Sequence, residues 1–235
     1  MGTRIAAVLV EVPSLLRGEL DFLRAWVTRR SWAGMMVSGI VILLGTGLFG
    51  AALGSWRAPM QAVYAGLKLP LVLLLTALLN GLINALFAPL LGLNIGPRVS
   101  LSAVLASFAI CAAILGSLSP ILAFLVWNSP ALGTEGAGAT HSLILIANVG
   151  SLAFAGVAGN LRLFQTLRAL GNASVARRVL TAWLGMNLLL GSQISWVLRP
   201  FVGSPGLDVQ FLRPDAFQGS FFESVFRSLR FLLPS

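Results

Sequence analysis

Between Trp32 and Trp56 the chain runs for twenty-three residues without one ionisable side chain. A helix rising 1.5 Å per residue needs about 20 apolar residues to cross roughly 30 Å of hydrocarbon. Four comparable runs follow, from about Leu67 to Leu93, Ser100 to Trp127, His141 to Leu161 and Val179 to Val197. The two indoles flank the first run where Trp settles at a membrane–water boundary, ring among the acyl chains and N–H toward the headgroups. The pattern predicts an all-α fold, a polytopic transmembrane helix bundle of five crossings. Charged residues make up 10% of the chain, against about 25% in a soluble domain, so a water-soluble fold is excluded by composition as well.

Three regions follow. Residues 1–31 form an N-terminal amphipathic segment, 32–201 the five-helix transmembrane domain, and 202–235 a C-terminal amphipathic aromatic tail. From Glu11 to Arg30, Val12, Leu15, Leu16, Leu20, Leu23, Trp26 and Val27 share a broad apolar face, with Arg17, Asp21 and Arg24 opposite. Such a helix either lies in the interface plane or packs on other protein, and Trp26 is its candidate contact residue. In the tail, a turn at Gly203 to Gly206 precedes a stretch from Ser220 to Leu233. Phe221, Phe222, Val225, Phe226, Leu229 and Leu232 line one face there, with Glu223 and Arg227 on the other. Phe221, Phe222 and Phe226 are the candidate surface for the lipid boundary or a partner subunit. The apolar stretch Ile5 to Val10 is cut off by Glu11, too short for the core of a signal peptide.

The net charge of +9 comes from basic residues gathered between the apolar runs. There they orient helices and meet anionic headgroups. No basic stripe interleaved with aromatics appears, which argues against nucleic acid as a partner. With five crossings, ten basic residues fall on the side of the N-terminus and six on the other, so the N-terminus is expected in the cytoplasm. The loop from Asn128 to Thr140, free of basic residues, fits an external turn. The four Arg of the tail would return inside if the second or third run were re-entrant. Fifteen of the sixteen basic residues are Arg, a bias consistent with a GC-rich bacterial genome and hence the inner membrane.

Lipid supplies no hydrophobic force between helices, so association rests on small residues and shared hydrogen bonds. Gly50 and Gly54 form a small-xxx-small pair in the first run; Ala147, Ser151, Ala155 and Gly159 continue that spacing through the fourth. Polar residues fall into rows as well: Thr76, Asn80 and Asn84 in the second run, Asn187, Gly191 and Ser195 in the fifth, each on one helix face. These rows are expected to face the bundle, with Asn148 between them, either as hydrogen bonds between helices or as a polar cavity. Pro70 and Pro89 should bracket the second helix and Pro120 should kink the third. Lys68 is expected to snorkel to the interface.

The inventory sets aside several chemistries. Between Asp21 and Asp208 the chain has one acidic residue, Glu135, in a loop, so no buried carboxylate serves a proton relay or an ion gradient. His141 is the sole histidine and Cys111 the sole cysteine, which removes multi-histidine zinc sites, CxxC pairs and an intrachain disulfide. A lone His with no GxSxG elbow nearby reads as a polar helix-end residue. Neither a Walker sequence nor GxGxxG occurs. No catalytic residue, metal or cofactor is expected.

The closely spaced crossings from Trp32 to Phe201, together with the stretch Val99-Ser-Leu-Ser-Ala-Val-Leu-Ala-Ser-Phe-Ala-Ile and the later Leu118-Ser-Pro120, resemble the Yip1-like integral membrane proteins and their middle helices. That resemblance implies a non-enzymatic organiser of membranes or membrane proteins. The expected partners are the lipid bilayer and other membrane subunits, or further copies of the chain. The competing expectation is a facilitative channel or permease for a small polar solute or lipid, lined by Asn80, Asn84, Asn148 and Asn187.

Overall fold

The computed structural model describes residues 11–17, 19–29, 32–203 and 207–232. Within them every regular element is a helix: α1 (Val12–Arg17), α2 (Leu20–Thr28), α3 (Trp32–Gly54), α4 (Pro59–Leu90), α5 (Pro97–Trp127), α6 (Ala137–Leu170), α7 (Ala173–Leu198) and α8 (Phe221–Leu232). Four of these, α3 to α6, are long and apolar enough to cross a membrane. The 26 residues of α7 match them in length, but Asn187, Ser192 and Gln193 dilute its apolar run, and it falls outside that set.

Local chemistry explains the boundaries. Pro59 and Pro97 open α4 and α5 in the first turn, where a fixed φ suits the helix and the missing N–H would have had no partner. Asn172 caps α7 by accepting from the Val175 N–H at 2.9 Å, and Ser220 accepts from the Glu223 N–H at 3.1 Å to start α8. The second run therefore begins about eight residues before its hydrophobic stretch. Pro70 and Pro89 lie inside α4 rather than bracketing it; the bundle holds the helix together across Pro70, whose ring lies beside Gly47 of α3. Likewise α6 continues past Leu161 to Leu170, an overhang long enough for Arg162 and Arg168 to stand beyond the hydrocarbon.

Helix α5 is the hub, packed on α3, α4 and α6 and touched by α2. Consecutive long helices run antiparallel, and α7 lies along α4 with a lesser contact to α6. The described part of the N-terminal amphipathic segment holds two short helices, α1 and α2, tied together by an Arg29 to Glu11 ion pair at 2.8 Å. Leu23, Trp26 and Val27 are buried in the main core. Trp26 is thus not a contact residue for lipid or partner. Its ring lies 5.5 Å from that of Phe22 and shields Gly34 of α3, because α2 packs on α5 and α6 instead of lying free in the interface.

At the opposite end, the segment after α7 folds back over the start of α4. Gln61 Nε2 donates to the carbonyls of Pro200 and Phe201 at 3.2 and 2.6 Å, and Arg57 Nη2 to that of Leu207 at 2.9 Å. Lys68 does not snorkel outward. It is fully buried, donates to the Pro200 carbonyl at 2.9 Å and lies 5.0 Å from the Phe211 ring centroid. A carbonyl and an aromatic face stand in for water around the ammonium. The turn expected at Gly203 to Gly206 falls largely at residues 204–206, outside the described residues.

Candidate functional site

The two polar rows meet. Asn84 donates through Nδ2 to Asn80 Oδ1, and Asn80 donates through Nδ2 to Asn187 Oδ1, so one amide ladder joins α4 to α7. Asn80 and Asn84 are fully enclosed. Burying these amides is tolerable because each finds another amide in place of water. One turn further along both helices, Thr76 faces Gly191, and a methyl added at Gly191 would stand 3.7 Å from the Thr76 hydroxyl oxygen.

Beyond that pair the helices part around a cavity of about 250 Å³, with Thr76, Ser107, Cys111, Asn160, Asn187 and Ser195 supplying its polar and sulfur lining. All of α4, α5, α6 and α7 contribute walls. Of the residues expected to form such a cavity, Thr76, Asn187 and Ser195 line it, while Asn80 and Asn84 stand behind it as the ladder. Asn148 does not join them. It sits one turn beyond Leu152 on α6, past the end of the cavity, half-buried and with Oδ1 unpaired among the described residues.

The far wall is the small-residue stripe of α6. Ala155 and Gly159 are buried against α5, where Ser107 Oγ donates to the Gly159 carbonyl at 2.9 Å and Cys111 Sγ to the Ala155 carbonyl at 3.1 Å. A side chain at 159 would collide with the Cys111 sulfur. Ala147 and Ser151 continue the stripe at half-buried positions. Gly50 and Gly54 pack equally tightly, against the carbonyls of Ala65 and Gln61 at the start of α4. Sequence reasoning missed the closest crossing of all, Gly45 of α3 over Ala112 and Gly116 of α5, where a methyl at Gly116 would lie 3.0 Å from the Gly45 Cα. It also missed Ser107 and Cys111 as donors to α6, although their spacing of four, matching Ala155 and Gly159, carried that signal.

A second, wetter hollow of about 610 Å³ lies at the end of α7, bordered by Trp196, Arg199, Arg213, Asp215, Gln218 and Glu223. Arg199 stacks on Trp196 with its guanidinium carbon 3.7 Å from the ring centroid and pairs with Asp215 at 2.9 Å. His141 stands beside Trp56, ring centroids 5.7 Å apart and 30° between planes, and Trp56 Nε1 donates to the Pro130 carbonyl at 3.2 Å. This histidine is part of the loop packing at a helix end. Among the described residues no three His, Cys, Asp or Glu side chains come together in a group able to hold a metal ion. Along α8, Phe221, Phe222 and Phe226 are exposed, Phe226 to 71%. The chain matches no family model, no curated protein and no solved structure.

Proposed function

We propose that this chain is a non-catalytic scaffold or accessory subunit of a membrane assembly, a five-crossing protein of the bacterial inner membrane with its N-terminus in the cytoplasm. The fifth crossing is α7, which runs the length of α4 from Asn80 to the level of Lys68. The observation that supports the reading most is the bare aromatic face of α8. Three Phe side chains stand outward on a short amphipathic helix that touches the end of α7, where the Phe221 N–H reaches Gln193 Oε1 at 3.3 Å. Aromatic rings exposed on an amphipathic helix at the end of a membrane-crossing element suit contact with a partner subunit at the headgroup boundary. The Yip1-like resemblance points the same way.

Extraction in mild detergent, followed by identification of co-purifying chains, tests this reading. Stoichiometric partners should accompany the wild type and fall away with Phe222→Asp and Phe226→Asp together. A chain that purifies alone, with a photoreactive group at 226 capturing lipid only, would defeat the scaffold role.

The amide ladder and the cavity beside it favour one alternative, a facilitative path for a small polar solute. Solute flux in reconstituted liposomes that Asn80→Leu and Asn84→Leu abolish would replace the scaffold reading with that one.

A further inference from the structure

Hydroxyls buried in membrane helices ordinarily donate to a carbonyl of their own helix one turn back. Thr46, Ser119 and Thr166 all do so, to Ile42, Leu115 and Arg162. Thr76 does not. Its side chain is 3% exposed, and its Oγ1 has no hydrogen-bond partner among the described residues. The hydroxyl lines the cavity between α4 and α7, with Gly191 leaving room in front of it. The amide ladder is directional and ends at the same place: Asn187 accepts from Asn80, and its own NH2 donates to no described group. Ser195, one turn past Gly191, adds a second hydroxyl beside that of Thr76. The cavity therefore offers several hydrogen-bond donors, and among the described residues no charged side chain lines it.

A second hollow adjoins it. Gly156 and Asn160 of α6 line both the inner cavity and an outer groove of about 540 Å³, whose remaining walls include Val157, Leu161, Phe164 and Leu180. The groove lies between α6 and α7, is almost wholly apolar, and ends at Arg177 near the start of α7. A donor-lined chamber at the middle of two membrane helices, continuous with an apolar slot that opens sideways, has the shape of a site for a molecule with a polar head and a hydrocarbon tail.

We propose that the cavity between α4, α5, α6 and α7 binds a neutral amphiphile through a carbonyl group on its head, with the tail leaving between α6 and α7. The carbonyl accepts from Thr76 Oγ1 and from the Asn187 amide. An anionic head is disfavoured, since no cation lines the chamber to offset its desolvation. Two sources share this chemistry, an isoprenoid-type quinone and an acylglycerol ester. Both place a carbonyl on a long apolar tail, and both reach the middle of a bilayer without a charge.

Binding to the purified full chain in lipid nanodiscs separates the cases, with decylubiquinone and dioleoylglycerol as the two probes and hexadecane as a tail without a head. One of the two carbonyl probes should bind saturably and hexadecane should not compete. Thr76→Val, which keeps the shape and removes the hydroxyl, and Asn187→Leu should each weaken that binding at least tenfold. Gly191→Leu, which fills the chamber, should abolish it, whereas Gly191→Ala should retain it. Whichever probe binds names the source. If neither binds, or if Thr76→Val binds as the wild type does, the assignment is wrong, and the scaffold reading, tested by co-purification, stands or falls separately.

Discussion

The two sides of the bundle are built on opposite principles. Helices α3, α4 and α5 cross so closely that Gly45, Gly50 and Gly54 meet backbone carbonyls of their neighbours with no room for a methyl. Helix α6 buries Ile144, Ala155, Gly159, Leu163 and Leu167 but is more exposed between them: 17% of its most apolar stretch is buried, against 39 to 44% in α3, α4 and α5. Glycines occur on both sides, yet those of α6 and α7 at 150, 156 and 185 have nothing within 4 Å of where a side chain would begin. Tight contact on one side supplies the van der Waals packing that lipid cannot. Looseness on the other is what leaves a chamber lined by Thr76 and Asn187.

The tight side is most vulnerable at Gly45. A Cβ there would overlap the Ala112 carbonyl, and backbone cannot rotate out of the way as a side chain can. Gly45→Val should destabilise the bundle by about 3 kcal/mol, the upper part of the range for overpacking. Reversible unfolding in mixed detergent would measure it. A loss under about 1 kcal/mol would mean that α3 and α5 are not in backbone contact.

Ala155→Leu tests the one firm seam of the looser side. It should displace Cys111 Sγ from the Ala155 carbonyl and lower stability by about 2 kcal/mol, with Ser151→Leu, at a half-buried place, having roughly half that effect. Equal losses at 151 and 155, read in the same unfolding assay, would show the stripe buried evenly along its length, contrary to the packing seen here.

How much of this was legible beforehand follows the same division. Uncharged runs announced the helices, since nothing but a helix satisfies every backbone group in hydrocarbon. Spacing by four announced the Gly50 and Gly54 pair, the Ala155 and Gly159 stripe, and the rows that became the amide ladder. Spacing places residues on one face of a helix but does not say which neighbour that face meets, so Asn148 was grouped with asparagines it never reaches. Trp26 looked like an interfacial residue because an indole reads alike on lipid and on protein. Lys68 was unreadable for another reason: its acceptor, the Pro200 carbonyl, is 132 residues away in sequence, and a backbone acceptor leaves no trace in residue type. Gly45 was missed because its partner surface, Ala112 and Gly116, is on a helix that is not its neighbour in sequence.

The ladder lies on the boundary between the two sides, and a double-mutant cycle sharpens its role. Asn80→Leu strands Asn84 Nδ2 and Asn187 Oδ1 together and should lower stability by about 1 to 2 kcal/mol. Adding Asn187→Leu removes one stranded acceptor, so the double variant should lose less than the sum of the singles, with a coupling of about 0.6 kcal/mol, the size measured for hydrogen bonds between membrane helices. Additive losses would mean that the amides contribute separately and that α7 is held to α4 by other contacts.

The smallest effect is also the most discriminating. Gly150 lies on the exposed side of α6 with open space where a Cβ would stand, so Gly150→Ala removes backbone freedom from the unfolded helix and meets no obstacle in the folded one. The change should be neutral or stabilising by up to about 1 kcal/mol. The same substitution at Gly45 introduces the overlap with Ala112, so two Gly to Ala changes in a single bundle should differ in sign. Their chemistry is identical, and the difference isolates packing from helix propensity. A clear destabilisation at 150 would show that the outer face of α6 is covered in the membrane by another chain, and it would transfer α6 from the loose side of the bundle to the tight one.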